Sequence, residues 1–375
     1  DAQKRGYNDV EVKDSRSVYK DDDDDSMVYM YLTVMKGNDT DNTNHTWEDV
    51  NSHSVYYYDE LGIDKYAVNG ILQVGDENGA AVGQLGYGEF APNCRVSIRG
   101  KTSSRSPQKN YKIDMNKNEG YWRGQSTINL NKHVYDVTRI RNKLSYDLIK
   151  TIPEMIGART QFVRLYVKDQ TAGNGSGQFV DYGLFTQVEQ INKTYLRNHG
   201  LDEFGHLYKA NMFEFNRYED EIRLSSDPLY DESLFESRLE IKGDNDHTKL
   251  IDMLTKLNDY SYSIEDIMEK YFDADNYFTW LAFQLLTANR DTTSQNFFLY
   301  SPLHSQRWYF ISWDNDGAWR YNERLTFSGL DGNNYEYGVS NYFGSVLHQR
   351  VLKSRVLRAK LDEKVKYLMG ILTRE

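Results

Sequence analysis

Strand-like runs fill the first half of this 375-residue chain and helical runs fill the second, and this order limits the fold more than any other feature. Met27-Val28-Tyr29-Met30-Tyr31-Leu32-Thr33-Val34 is a β-rich run, and Tyr66 to Val74, Cys94 to Arg99 and Asn110 to Met115 are further strand candidates. Gly- and Asn-rich turns separate them, and residues 38–53 read as an exposed loop. A helix is expected over Val137 to Ile152, where Ile140, Leu144, Leu148 and Ile152 recur every four residues, with Asp136 as N-cap and Pro153 after the stop. Gln161 to Lys168 and Gly183 to Val188 read as a hairpin around the Thr171 to Gly177 loop. Lys193 to Asn198, Lys249 to Asp259, Ser263 to Tyr271, Asp275 to Ala288 and residues 340–373 read as helices, with a hairpin of Asn296 to Tyr300 and Trp308 to Trp313 among them. The layout divides the chain into an irregular acidic lead-in at 1–25, a β-rich N-terminal lobe at 26–190 with one helix at 137–152, and a helical C-terminal lobe at 191–375. The expected class is α+β, in two lobes.

Composition excludes several roles. The net charge of −11 argues against nucleic acid as a partner and is compatible with a basic protein substrate. Part of the excess is local, in the run Asp21 to Asp25, which reads as a solvated loop; calcium binding there would require the loop to fold around the ion. Hydrophobic residues make up only 39% of the chain, and the 30 tyrosines among them bring rings that can be buried with a polar tip outward. The lone Cys94 excludes an internal disulfide and a cysteine metal cluster, and reads as a small buried hydrophobe. That count suits the cytosol and also a Gram-positive cell surface. No stretch reaches 18 apolar residues, so no transmembrane segment is expected. The chain begins at Asp1 rather than methionine, which is compatible with a signal peptide already removed. A monomer is expected.

Two short carboxylate clusters carry the chemistry. Asn289-Arg290-Asp291-Thr292-Thr293-Ser294-Gln295-Asn296 sets a carboxylate and a carboxamide five residues apart after an apolar helical run. Trp313-Asp314-Asn315-Asp316-Gly317 follows a strand-like run. Protein kinases use this spacing: a catalytic-loop Asp orients the attacking hydroxyl, an Asn five residues on holds metal, and an Asp before a Gly on the next hairpin holds Mg²⁺ on the nucleotide phosphates. Taken singly, each cluster is also an ordinary polar turn. Ser97 to Ile113 offers the cations Arg99, Lys101, Arg105, Lys109 and Lys112 around Gly100 and several serines, a composition that suits phosphate and equally suits a solvated hairpin. Neither G-x-G-x-x-G nor G-x-x-x-x-G-K-[ST] is present.

Four blocks together resemble the spore-coat protein H (CotH) kinase family of atypical, secreted or spore-associated protein kinases. They are Arg99-Gly100 to Ile113; Ile140-Arg141-Asn142-Lys143-Leu144; Gly183 to Ile191 with Tyr195-Leu196; and Asn289 to Tyr300 with Ile311 to Asp316. They span about residues 95–320, and residues 1–90 carry no such signal. The resemblance implies a two-lobed atypical protein-kinase-like fold and an ATP-dependent Ser/Thr kinase using Mg (or Mn), acting on a secreted, coat or cell-surface protein. It implies Asp291 as the catalytic residue and Asn296 and Asp314 as metal ligands. Asp316 is either a further ligand or the turn before Gly317. Arg99, Lys109, Arg141, Glu189 and Gln190 are the matched nucleotide-side positions, with Arg141 either bracing phosphates or capping packing. If the segment is a strand, Lys109 and Lys112 point to opposite faces and only one meets the phosphates; the family match favours Lys109. Ser312 stands where the family pattern has proline, and no Glu suggests itself as partner for Lys109. Two alternatives remain: a kinase-like scaffold in surface assembly with little or no catalysis, and a Ca²⁺-dependent adhesin.

Overall fold

The computed structural model describes residues 7, 11–22, 25–117, 121–173, 177–319, 339 and 341–373. Asp23 and Asp24 of the aspartate run, part of the Thr171 to Gly177 loop and residue 340 of the expected last helix lie outside them. The chain divides into two compact units. The barrel unit holds Val18–Lys143 and Ala158–Tyr195, and the helix–sheet unit holds Asp1–Ser17, Leu144–Gly157 and Leu196–Glu375.

The barrel unit contains strands β1 (Met27–Met35), β2 (Ala67–Asp76), β3 (Gly79–Ala80), β4 (Cys94–Arg99), β5 (Asn110–Met115), β6 (Thr127–Asn131), β7 (Thr160–Asp169) and β8 (Val180–Glu189). They pair in the order β1-β7-β8-β6-β5-β4-β2, and β2 pairs with β1 again, so seven strands close on themselves while β3 extends β2. β1 runs parallel to β7 and antiparallel to β2, with Leu32 opposite Val167 on one side and Leu72 on the other. Closure removes sheet edges that would otherwise template aggregation. Alternate residues point into one core: Met30, Leu32 and Val34; Val68, Leu72 and Val74; Cys94, Val96 and Ile98; Tyr111, Ile113 and Met115. A side chain at Gly70 would come within 3.0 Å of Cys94 Sγ and Leu32 Cδ1, so glycine stands at a crowded point of this interior. Cys94 is buried there, and burial raises its thiol pKa.

The helix–sheet unit is built on a four-stranded antiparallel sheet, ordered β10-β9-β11-β12, of β9 (His206–Ala210), β10 (Leu239–Ile241), β11 (Phe297–Ser301) and β12 (Tyr309–Ser312). Numbered along the chain, the described helices are α1 (Trp47–Ser52), α2 (Val55–Leu61), α3 (Arg141–Ile149), α4 (Lys193–Asn198), α5 (Glu232–Glu236), α6 (Thr248–Asn258), α7 (Ile264–Tyr271), α8 (Ala274–Leu286), α9 (Val346–Lys353) and α10 (Arg355–Leu372), of which α6 to α10 lie around this sheet. The lead-in is tied to this unit. The Arg16 guanidinium donates to the carbonyls of Lys150 and Ile152 at 2.7 and 2.6 Å, and the buried Asp14 carboxylate accepts from Gly157 N and pairs with His199 Nδ1.

This architecture overturns the two-lobed kinase-like expectation. The first unit is a closed seven-stranded barrel, and the second is a sheet with helices rather than a mainly helical lobe. Strand runs specify strands but not whether a sheet closes, and β9 and β10 have only five and three residues, too short to show a period. The barrel unit also holds more than one helix. Residues 38–53 are not all loop: Trp47–Ser52 is a helix with a Thr46/Asp49 capping box, and Trp47 is buried. The helix expected over 137–152 spans Arg141–Ile149. Asp136 accepts from the amides of Thr138 and Arg141, which makes a turn of the preceding residues, and Val137 is 91% exposed. Its buried side chains are Asn142, Lys143, Ser145, Tyr146 and Ile149 rather than the four-residue apolar stripe.

Buried histidines make the helix–sheet unit acid-sensitive. Burial, reinforced by the charge of Lys249, lowers His206 to about 4; burial likewise lowers His247, which bonds Tyr208 Oη at 2.8 Å, to about 4. Both sit below the usual 6.5, so between about pH 6.5 and 4 the unfolded chain binds protons that the folded chain does not. Their contribution is complete above that window and is lost as pH falls through it. Denaturant titrations from pH 7 to 4.5 should therefore show stability falling with a slope that is shallower in His247→Gln; equal slopes would exclude His247 as a source.

Candidate active site

The two carboxylate clusters meet at one end of the β11–β12 hairpin. Helix α8 (Ala274–Leu286) ends at Thr287, Ala288 takes the left-handed conformation at φ 53°, and residues 289–296 form a loop into β11. In the hairpin register Phe297 faces Ser312, and Trp313 N donates to Asn296 O at 3.1 Å. One further rung thus sets Asn296 beside the peptide that leads to Asp314. The chain then turns through the 3-10 segment Asn315–Gly317 and comes back against the first cluster: a side chain at Gly317 would lie 3.0 Å from Asn289 Oδ1 and 3.4 Å from Asp291 Cβ.

Asp291 is exposed, and two carboxamides hold its carboxylate. Gln295 Nε2 donates to Oδ1 at 2.7 Å, and Asn296 Nδ2 donates to Oδ2 at 2.8 Å and to the Asp291 carbonyl at 3.1 Å. The five-residue spacing therefore closes a ring between Asp291 and Asn296. Asn296 and Asp314 both have positive φ, 59° and 51°, a conformation Asn and Asp tolerate better than most residues. Non-glycine residues held this way tend to gather where function needs a fixed geometry. Behind the loop, Thr292 Oγ1 and Tyr342 Oη lie 2.7 Å apart, both buried.

At this end of the hairpin Asp314 and Asn296 are the residues that could hold a hard cation. Asp314 brings carboxylate oxygens, and Asn296, with its Nδ2 turned to Asp291, brings its Oδ1. Among the described residues, no group of three or more His, Cys, Asp and Glu side chains is placed to hold a metal ion. Mg²⁺ is commonly held by one or two carboxylates with the remaining positions filled by phosphate and water, so this small donor set fits it. Asp316 is half-buried in the 3-10 turn beside Gly317.

The nucleotide-side candidates lie in the barrel unit, each with its own partner. Arg99 donates to Asn131 Oδ1. Lys109 is buried, donates to Ser104 O at 2.5 Å, and has its pKa lowered by that burial. Lys112 lies on the other face of β5, 3.0 Å from Asp114. Arg141 pairs with Asp136, whose pKa burial would raise but which the Thr138 hydroxyl and the Arg141 and Thr138 amides bring below the ordinary value. Gln190 Oε1 accepts from Asn129 at 2.8 Å. Glu189 is buried and accepts from Arg159 twice, from Nη2 at 2.5 Å and from the backbone amide at 3.0 Å.

Sequence reasoning did not single out Gln295 or Arg159. Gln295 was visible only as a neighbour inside the first cluster, and Arg159 precedes a strand with nothing to mark its partner. Replacing Arg159 with Met should leave Glu189 buried without its charge partner and cost about 3–5 kcal/mol, measurable by denaturant unfolding. A loss below 1 kcal/mol would show the pair to be dispensable.

Comparison with known proteins adds two findings. The sequence model of the CotH kinase protein family matches residues 96–375. The inner spore coat protein H of Bacillus subtilis (strain 168) is 25% identical over 230 residues, covering 60% of this chain. The chain spans 58% of the length of that relative. No helix among the described residues is long and apolar enough to cross a membrane.

Proposed function

This chain belongs to the CotH kinase protein family, and on that premise we propose that it is an ATP- and divalent-metal-dependent protein kinase. It transfers the γ-phosphoryl group to Ser or Thr of a coat or cell-surface protein, and its place is at the spore or cell surface. The similarity to a spore coat protein supports that location. The observation that carries the chemistry is the meeting of Asp291, Asn296 and Asp314 at the end of one hairpin, with the Asp291 carboxylate bound by Gln295 and Asn296.

Asp291 is the residue that receives the acceptor hydroxyl. It is exposed, so a substrate can approach, and its two carboxamide donors fix which way its oxygens face. An acceptor hydroxyl donating to it is oriented for attack and gives up its proton there as the new bond forms. Asp314 and Asn296 would hold the metal, and Mg²⁺ or Mn²⁺ there would supply charge neutralisation for the nucleotide phosphates. The net charge of −11 favours acceptor sites in basic segments, by electrostatic steering.

Calorimetric titration with ATP, with and without Mg²⁺ or Mn²⁺, tests the reading together with phosphorylation from labelled ATP. The expected result is metal-dependent binding and labelled protein product; the absence of both would favour a non-catalytic surface-assembly role. Asp314→Ala should abolish metal-dependent ATP binding while the thermal melt stays that of a folded chain. Asp291→Asn should lower phosphotransfer by about 10²-fold or more and leave ATP affinity nearly unchanged. Near-native turnover in Asp291→Asn would remove that residue from the mechanism.

A further inference from the structure

We propose that Gln284 is a positioning residue that couples the Asp291 loop to the Asp314 strand. Gln284 lies in the last turn of α8 and is fully buried. Its Nε2 donates to Ser312 Oγ at 2.8 Å, and its Oε1 accepts from Asn289 Nδ2 at 3.0 Å. The Asn289 side chain continues the relay, because its Oδ1 accepts from the Asp291 amide at 3.3 Å. Gln284 O also accepts from Asn289 N at 2.9 Å, so the same residue holds Asn289 through main chain and side chain.

The relay touches each cluster at an equivalent point. Ser312 is two residues before Asp314, and Asn289 is two residues before Asp291. Ser312 and Asn289 are buried like Gln284, so none of the three can exchange its partner for bulk water. A carboxamide is the side chain that can donate at one end and accept at the other without carrying charge. A shift of Ser312 therefore moves Gln284, and through Asn289 it moves the amide that sets the direction of Asp291. The coupling keeps the hydroxyl-orienting carboxylate and the metal-binding carboxylate in one geometry. Gln284 itself reaches neither substrate nor metal; its effect is exerted through these two segments.

This inference rests on the kinase reading for its catalytic consequence, but its structural core can be measured separately. Gln284→Met keeps the approximate size and removes both bonds. It should lower kcat about 10- to 100-fold, as small misplacements of catalytic groups do, with KM for ATP within about threefold of the wild type. Amide hydrogen exchange across residues 289–296 should quicken in the same variant. Ser312→Ala removes one end of the relay and provides a milder variant should Gln284→Met fail to fold.

Asn276 supplies the control. It lies on the same helix, is equally buried, and its amide bonds Phe310 N at 2.7 Å and Phe310 O at 3.2 Å. Asn276→Leu should lower the melting temperature without changing exchange at residues 289–296 or kcat at temperatures where it stays folded. Unchanged exchange in both Gln284→Met and Ser312→Ala would overturn the proposal, as would an equal loss of kcat in Asn276→Leu at matched melting temperature. A wild-type chain that neither binds metal–ATP nor transfers phosphate would defeat the kinase reading instead, while the exchange comparison would still decide whether Gln284 holds the loop.

Discussion

Burial of α8 on every side is the constraint on which the helix–sheet unit depends. Residues from Asn276 to Leu285 are all buried, including Asn276, Thr279 and Gln284. A helix in that position cannot leave polar side chains to solvent, and its amides and hydroxyls meet partners, whereas the buried Trp280 Nε1 meets none. Asn276 bonds both backbone groups of Phe310, Thr279 bonds Asp275 O, and Gln284 bonds Ser312 and Asn289. Rotating the helix by one residue, about 100°, would break the Asn276 and Gln284 bonds at once, whereas the Thr279 bond lies within the helix and would survive. Aromatic packing reinforces the same setting: Trp280 and Phe310 rings lie 4.6 Å apart, and Tyr277 meets both Phe310 and His348. The loop bearing Asp291 leaves from the end of a helix that has one register.

Backbone conformation at the site follows from that anchoring. Ala288, Asn296, Asp314 and Trp319 all have positive φ within one stretch of chain. For Ala and Trp this is unfavourable in isolation and persists only where the surroundings fix it. Trp319 N donates to Thr287 O at 2.6 Å, so the chain that leaves Asp314 is tied back to the end of α8. The barrel unit solves a different problem. It closes a sheet by pairing β1 with two strands of opposite direction, and fills the interior with one residue of every two from its strands.

Much of the candidate site was legible because its chemistry is local. Asp291 and Asn296 are five residues apart in one loop, and Asp314 follows a strand whose hairpin partner begins just after Asn296, so spacing alone brought them together. The hairpin of Gln161 to Lys168 with Gly183 to Val188 was readable for the same reason, and so was the short helix Lys193–Asn198. Cation partners were not readable. The sequence offers Lys109 as a phosphate contact, whereas its ammonium is buried against Ser104 O, and nothing in the local pattern of Glu189 marks Arg159 as its partner.

What the sequence determined by itself was the kind of most elements, the acidic balance, the paired carboxylate clusters and the family. Each of these is written in side chains a few residues apart, where a period or a turn residue acts on its own neighbourhood. Only the tertiary structure decided that β1 meets β2 and β7 to close a barrel, that residues 144–157 join the helix–sheet unit, and that Gln284 links Ser312 to Asn289. Those outcomes depend on which distant groups become neighbours once apolar surface is buried. A buried carboxamide or carboxylate then takes its partner from the segments that packing has placed beside it.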